Sequence, residues 1–216
     1  MTGTQYDCSS AVIKHVISLR DAGQATLAFF YFDFRDEEKK QDLRNFVTSL
    51  LCQLSSNSSP CCKILSRIYS THGNGTQQPS NSALIDCLLE MLSVSVKQPI
   101  YIIVDALDEC PNSSGFPTPR ELVLDLLNRL IRLGQPNLHI CVTSRLEADI
   151  KDILGPLACT VSLHDEIGQE KDIRDYLTKS VSSDRMMARW RSDQKELVVK
   201  ELSENSDGMW GYPPLL

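Results

Sequence analysis

Three carboxylates lie close together behind a short apolar run in the middle of the chain. Residues 100–104 are isoleucine, tyrosine and valine only, and Asp105, Asp108 and Glu109 follow them. An apolar run that ends in a carboxylate is typical of a buried parallel strand, which delivers the acid to the sheet edge where open α/β folds bind ligands. Nucleoside triphosphatases use one such acid to hold Mg²⁺ and a second to orient or deprotonate an attacking water. The spacing therefore predicts that Asp105 binds the metal and that Asp108 and Glu109 act on water. The alternative is an acidic turn that only caps the next element.

A single arginine follows a second apolar run about forty residues later. Residues 138–143 predict another buried strand, and Arg145 comes two residues after it. Because the carboxyl ends of parallel strands meet at one edge of a sheet, we expect Arg145 to lie near Asp105. A guanidinium in this place can pair with a phosphate oxygen, or it can tie down Glu147 or an acid of the first group. The sequence leaves both roles open.

The candidate side chains must be positioned by strands and helices, which alternate along the chain. This alternation implies parallel strands joined by helical crossovers, and so an α/β fold. The predicted strands are Thr26–Phe34, Ile100–Asp105, Leu138–Thr143 and Cys159–Leu163. The predicted helices are Ser9–Leu19, Gln41–Leu54, Cys61–Tyr69, Ala83–Ser93, Arg120–Leu133, Ala148–Leu154, Asp165–Val181 and Gln194–Asn205.

Composition excludes several classes of partner. The formal net charge of -6, from 22 basic and 28 acidic residues, shows no basic excess and argues against nucleic acid. No apolar run approaches the length of a membrane span, and the first residues lack the basic and then apolar segments of a signal peptide. We therefore expect a cytoplasmic protein without a membrane partner. The eight cysteines are interpreted as reduced thiols, with metal ligands or disulfides as the alternative.

Three stretches of the chain, Leu27–Phe34, Tyr101–Cys110 and Ile140–Arg145, are similar to those of a known family, with weaker support from Asp172–Leu177 and Ser206–Trp210. In these stretches the chain resembles the NACHT-type signalling ATPases, also called STAND NTPases. The resemblance is greatest to the fungal proteins with a nephrocystin-like N-terminal nucleotide-binding domain.

The resemblance implies a role for each candidate residue and for the whole chain. Asp105 would belong to the Walker B Mg²⁺ site, Asp108 and Glu109 would be the acids that act on water, and Arg145 would be the nucleotide sensor. The cofactor would be ATP or GTP with Mg²⁺. The chain would act as a switch, with other NACHT-type chains or effector domains as partners and with homo-oligomerisation as a possible output.

The chain departs from this family's pattern at its first residues. The family carries a Gly-Lys-Ser/Thr loop before the first helix, whose backbone amides and lysine cradle the phosphates. Here Thr4 stands where the lysine is expected, and Gln5 stands where the Mg²⁺-binding hydroxyl is expected. The loop is absent, and so is the strand before it, which would lie between the strands predicted at 159–163 and 138–143. The 100–105 strand would be the other neighbour of the 138–143 strand, and the 26–34 strand would be outermost.

We therefore expect an incomplete P-loop NTPase-like parallel sheet, flanked by helices, in a truncated chain or one completed by another polypeptide. Residues 1–165 would be a partial NACHT domain, and residues 166–216 would lead toward a truncated winged-helix region. The expected function is a nucleotide-binding module of a signalling ATPase with impaired nucleotide binding. A non-enzymatic interaction or oligomerisation domain is the main alternative, and an active hydrolase that uses Gly73-Asn74-Gly75 as its cradle is a third.

Overall fold

The chain divides into two compact units, Met1–Ala158 and Cys159–Leu216. The computed structural model describes residues 8–33, 41–56, 58–95, 98–113, 115–161, 169–183 and 186–204. All four predicted site residues lie in the first unit. This unit is α/β with a parallel sheet, so the predicted fold class is confirmed.

Helices and strands alternate in the predicted order. The strands are β1 (Thr26–Tyr31), β2 (Ile100–Asp105) and β3 (Leu138–Val142). The helices of the first unit are α1 (Cys8–Asp21), α2 (Leu43–Ser56), α3 (Ser59–Thr71), α4 (Asn81–Val94), α5 (Pro119–Arg132) and α6 (Ala148–Leu154). The second unit contains α7 (Gln169–Ser183) and α8 (Ser192–Glu204), and Val181, Met187 and Val199 form its small core.

The three strands form one parallel sheet in the order β1-β2-β3. This order confirms that β2 lies between the other two. The apolar run of β2 is buried, as a central parallel strand requires, because helices cover both faces of the sheet. Residues of α2, α4 and α5 form the main core on one face, and Ile13 and Val16 of α1 pack with Leu27 and Ile103 on the other.

Side chains of α2 protect the outer edge of β1. The carboxamide of Gln53 accepts a hydrogen bond from the backbone N–H of Phe29 at 3.0 Å and donates one to the carbonyl oxygen of Phe29 at 2.7 Å. One side chain thereby satisfies the donor and the acceptor that a neighbouring strand would pair. Covering an edge in this way prevents another chain from pairing with it.

Helix α5 begins sharply because its first residues satisfy the free backbone amides. The Thr118 hydroxyl accepts a hydrogen bond from the Glu121 N–H at 3.2 Å, and the Glu121 carboxylate accepts one from the Thr118 N–H at 2.7 Å. Pro119 occupies the first turn, where its missing N–H costs nothing. This capping box fixes the position of Arg120, which is buried at the start of the helix.

Two strand predictions need correction. The strand predicted at Cys159–Leu163 is wrong for residues 159–161, which are in no strand, and residues 162 and 163 lie outside the described residues. A strand forms only beside a neighbour that pairs its backbone groups, and no strand in the described part of the chain pairs with this segment. The first strand ends at Tyr31, because Tyr31 pairs with Asp105, where β2 itself ends. The predicted strand is therefore wrong for Phe32 and Asp33, and Phe34 lies outside the described residues.

Candidate functional site

Asp105 and Thr143 meet at the carboxyl edge of the sheet because β2 and β3 are parallel neighbours. The backbone N–H of Thr143 donates to the carbonyl oxygen of Val104 at 2.9 Å, which continues the ladder by one bond beyond β3. The Thr143 hydroxyl donates to Oδ1 of Asp105 and accepts a hydrogen bond from the Ala106 N–H at 3.1 Å. One hydroxyl therefore orients the Asp105 carboxylate and holds the residue after it.

A sharp turn after β2 sends the chain back toward the end of β3. Ala106 has φ +52° and ψ +48°, the left-handed conformation that a residue with a Cβ rarely adopts. The next N–H, of Leu107, donates to the carbonyl oxygen of Thr143 at 3.0 Å, and the Leu107 side chain is fully buried. Leu107–Glu109 then forms one turn of 3₁₀ helix. The turn brings Asp108 against the segment that follows β3.

Asp108 forms an ion pair with Arg145. Its Oδ1 accepts a hydrogen bond from the Arg145 backbone N–H at 2.9 Å, and its Oδ2 accepts one from Nε of Arg145 at 2.6 Å. The Asp108 side chain is 4% exposed and that of Arg145 is 62% exposed. The hydrogen bond from Arg145 to Asp108, and then the negative charge of Asp108, raise the pKa of Arg145 above its usual value; the charges of Glu109 and Glu147 add to this. Of the two roles open to Arg145, the contact with an acid of the first group is present in this structure.

A buried arginine holds the acidic turn from the other side. Nε of Arg120 donates to the carbonyl oxygen of Cys110 at 3.0 Å, and its Nη2 donates to the carbonyl oxygen of Asp108. Its Nη1 pairs with Asp149 of α6 at 3.4 Å. Arg120 therefore links the acidic turn to the start of α5 and to α6.

The structure brings Asp105, Asp108 and Arg145 to one edge of the sheet, as predicted. Glu109 lies half-buried in the same 3₁₀ turn. Sequence reasoning missed Thr143 as a site residue. A hydroxyl at the end of a strand that neighbours an acid-bearing strand was the available signal for it.

Arg120 was also missed, although it stands at the amino end of the helix that follows the acidic turn. It stands between Pro119 and Glu121 in the sequence, which gives no sign that its side chain is buried. The glycines of Gly73-Asn74-Gly75 lie between α3 and α4, and so they do not follow a strand of the sheet.

The residues at this edge fit a hydrated Mg²⁺ better than a fully protein-coordinated metal. No group of three or more His, Cys, Asp or Glu side chains converges within the part of the chain that the structure describes. Thr143 engages Oδ1 of Asp105, and Oδ2 of Asp105 has no hydrogen bond to any described residue. Mg²⁺ commonly keeps several waters and takes one or two carboxylates from the protein, which a single Asp105 can supply.

The described cysteines fit the interpretation as reduced thiols. Seven of them are free, and no disulfide joins them to each other. Burial raises the pKa of Cys110 to about 12 and that of Cys87 to about 11, so both stay protonated at neutral pH.

Among the described helices, none has both the length and the apolarity that crossing a membrane requires.

Comparison with known proteins gives the family. The family model for the nephrocystin 3 N-terminal region matches residues 8–145, more than half of the chain. The chain belongs to the nephrocystin 3 N-terminal family. The matched segment begins with α1 and ends at Arg145, so it contains the whole sheet and all four predicted site residues. This membership confirms the nephrocystin-like part of the resemblance. No curated protein and no solved structure matches the chain.

Proposed function

We propose that the chain is a nucleotide-binding module of a NACHT-type signalling ATPase, and that its sheet edge supplies the Mg²⁺ and sensor half of the nucleotide site. The observation that carries this proposal is the arrangement of Asp105 and Thr143 beside Asp108 and Arg145 at the carboxyl ends of two neighbouring parallel strands. A carboxylate oriented for a cation and an exposed guanidinium at one sheet edge suit a Mg²⁺–triphosphate.

Each residue has a role that follows from its contacts. Asp105, oriented by Thr143, would hold a hydrated Mg²⁺, and Arg145 would contact a phosphate group. When bound, Mg²⁺ neutralises the charge of the phosphate oxygens. Glu109 would be placed to orient water near the phosphates.

We expect these 216 residues to bind nucleotide weakly by themselves. The sequence contains no Gly-Lys pair, so it lacks the loop whose amides and lysine hold the phosphates in this class of protein. A micromolar fluorescent ATP analogue with Mg²⁺ should therefore give little saturable binding. Tight binding of that analogue would refute this part of the proposal.

The test is an NMR titration of the isotope-labelled chain with millimolar ATP and Mg²⁺. The backbone amide signals of Ala106 and Thr143 should shift with ATP, and Asp105→Asn should abolish these shifts. Asparagine keeps an oxygen that accepts the Thr143 hydrogen bond, so the variant removes the charge and little else. Asp125→Asn, which neutralises an exposed acid on α5, is the matched control and should behave like the parent. Equal shifts in Asp105→Asn and the parent, or no shift in either, would refute the proposal.

The second candidate is an interaction domain that pairs β3 with another chain. None of the five residues of β3 is fully buried, whereas four of the six residues of β2 are. An edge strand of this kind can template pairing with a second copy, with another NACHT-type chain or with an effector domain. Size-exclusion chromatography with light scattering separates the candidates, because an oligomer that persists without nucleotide favours this one and a monomer excludes self-pairing.

A further inference from the structure

Both oxygens of the Asp108 carboxylate are engaged by one residue. Its Oδ1 receives the backbone N–H of Arg145 and its Oδ2 receives the side-chain Nε–H of the same residue, at 2.9 and 2.6 Å. The Asp108 side chain is 4% exposed. A group that takes a proton from water needs a lone pair within hydrogen-bond reach of that water. The two short contacts with Arg145 and the burial of Asp108 leave little room for that role.

The same contacts fix the guanidinium of Arg145. A guanidinium is planar and rigid, so holding Nε and the backbone N–H together sets the direction of the two Nη groups. These groups make no hydrogen bond to any described residue, and the side chain is 62% exposed. Four N–H donors are therefore directed outward from a fixed point beside Asp108.

The main chain that carries Asp108 is held independently of Arg145. Arg120, itself buried, donates to the carbonyl oxygen of Asp108 within the 3₁₀ turn and to that of Cys110 directly after it. Arg120 also pairs with Asp149, the second residue of α6, at 3.4 Å. The backbone of Asp108 therefore rests on a buried side chain.

We infer that Asp108 is a positioning residue that anchors Arg145, whose outward Nη groups receive an oxyanion such as a phosphate of a nucleotide. This inference rests on the proposed function and assigns Asp108 a role other than the predicted one of acting on water. The anchored arginine would keep its bond to Asp108 while it binds the anion.

The test follows the Arg145 side-chain signals in ¹H–¹⁵N spectra while inorganic tripolyphosphate is added with Mg²⁺. In the parent chain, the Nη signals should shift, and Nε–H should keep the protected, hydrogen-bonded signal that it has before the addition. This measurement needs no substitution, so it stands even if a variant of the buried Asp108 folds poorly.

Asp108→Asn then separates anchoring from electrostatics. Removing a negative charge beside an anion site strengthens anion binding if charge alone matters. Loss of the anchor instead frees a long side chain that must be ordered again on binding. We therefore expect the initial slope of chemical shift against tripolyphosphate concentration to fall about tenfold. The conservative variant Arg145→Lys should also bind weakly. Lysine has a single charged nitrogen, which cannot bond to Asp108 and at the same time offer the anion a pair of Nη groups as arginine does. Asp125→Asn, which removes an exposed charge from α5, should keep the protected Nε–H signal and the slope of the parent.

The outcomes are distinct. An unchanged or steeper slope in Asp108→Asn, or loss of the protected Nε–H signal in the parent on addition of tripolyphosphate, would overturn the inference. Shifts at Ala106 without any shift at Arg145 would also overturn it, together with the phosphate contact proposed for Arg145, while leaving the proposed Mg²⁺ role of Asp105 in place. The absence of any shift at this sheet edge would overturn both.

Discussion

Replacing Arg120 with methionine should destabilise the first unit strongly. Methionine keeps an unbranched stem and has a helix propensity close to that of arginine, so neither helix α5 nor the packing of the stem explains a large effect. What is lost is the guanidinium and its hydrogen bonds to the carbonyl oxygens of Asp108 and Cys110.

The size of the effect follows from those contacts. A hydrogen bond from a charged donor contributes about 1.5–3 kcal/mol, and Arg120 makes two such bonds to backbone carbonyl oxygens. The contact with Asp149 adds little, because its 3.4 Å separation is long and the Asp149 side chain is 31% exposed. We therefore expect the free energy of unfolding to fall by about 3–6 kcal/mol, which is a large part of the about 5–15 kcal/mol typical of a domain.

Guanidinium chloride unfolding followed by far-ultraviolet circular dichroism measures this loss. Tryptophan fluorescence is unsuitable, because Trp190 and Trp210 both belong to the second unit. Arg129→Met is the matched control, since Arg129 is an exposed arginine in the last turn of the same helix, and it should stay within about 0.5 kcal/mol of the parent. An Arg120→Met variant as stable as Arg129→Met would refute the view that this side chain holds the acidic turn.

Two further predictions concern the edge of β1 and the buried thiols. Gln53→Leu should lower the free energy of unfolding by about 1–3 kcal/mol and increase self-association in light scattering, because the N–H and C=O of Phe29 lose their partners; an equally stable monomer would contradict this. Burial raises the pKa of Cys87 to about 11 and of Cys110 to about 12 from 9.0, so the protonated thiols stabilise the fold below pH 9. The free energy of unfolding should therefore fall by about 1.4 kcal/mol per pH unit for each thiol, from pH 9 up to about 11 for Cys87 and about 12 for Cys110. Iodoacetamide at pH 8.5 should label the exposed Cys52 and spare both, as mass spectrometry can show, and equal labelling of all three would contradict the assignment.

The sequence was sufficient for the elements whose hydrophobic pattern is continuous. The bounds of β2 and α6 are as predicted. The sequence of β2 is an unbroken apolar run that ends in a carboxylate, and that of α6 is a short amphipathic segment. Each pattern favours one type of element. The prediction that β2 lies between β1 and β3 is also confirmed. The strand predicted at Cys159–Leu163 shows the limit of the method, because its composition suits a strand but strand formation depends on a partner that composition does not report.

The sequence was sufficient to bring the candidate residues to the carboxyl edge of the sheet, but the contacts among them could not be predicted. The pairing of Asp108 with Arg145 depends on the left-handed turn at Ala106, and alanine gives no sign of that conformation. The roles of Thr143 and Arg120 likewise depend on which backbone groups lie within reach of one hydroxyl or one guanidinium. Residue type and spacing determine which groups reach an edge, whereas the path of a single turn determines which of them meet.

The most direct test of the proposed site is to locate a bound metal relative to Asp105. Mn²⁺ can replace Mg²⁺ in complexes with ATP and broadens NMR signals near it. With ATP present, we predict that broadening is centred on the backbone amides of Ala106 and Thr143 and disappears in Asp105→Asn. Broadening centred on another group of acids, or broadening that persists in Asp105→Asn, would contradict the assignment of this sheet edge as the metal and nucleotide site.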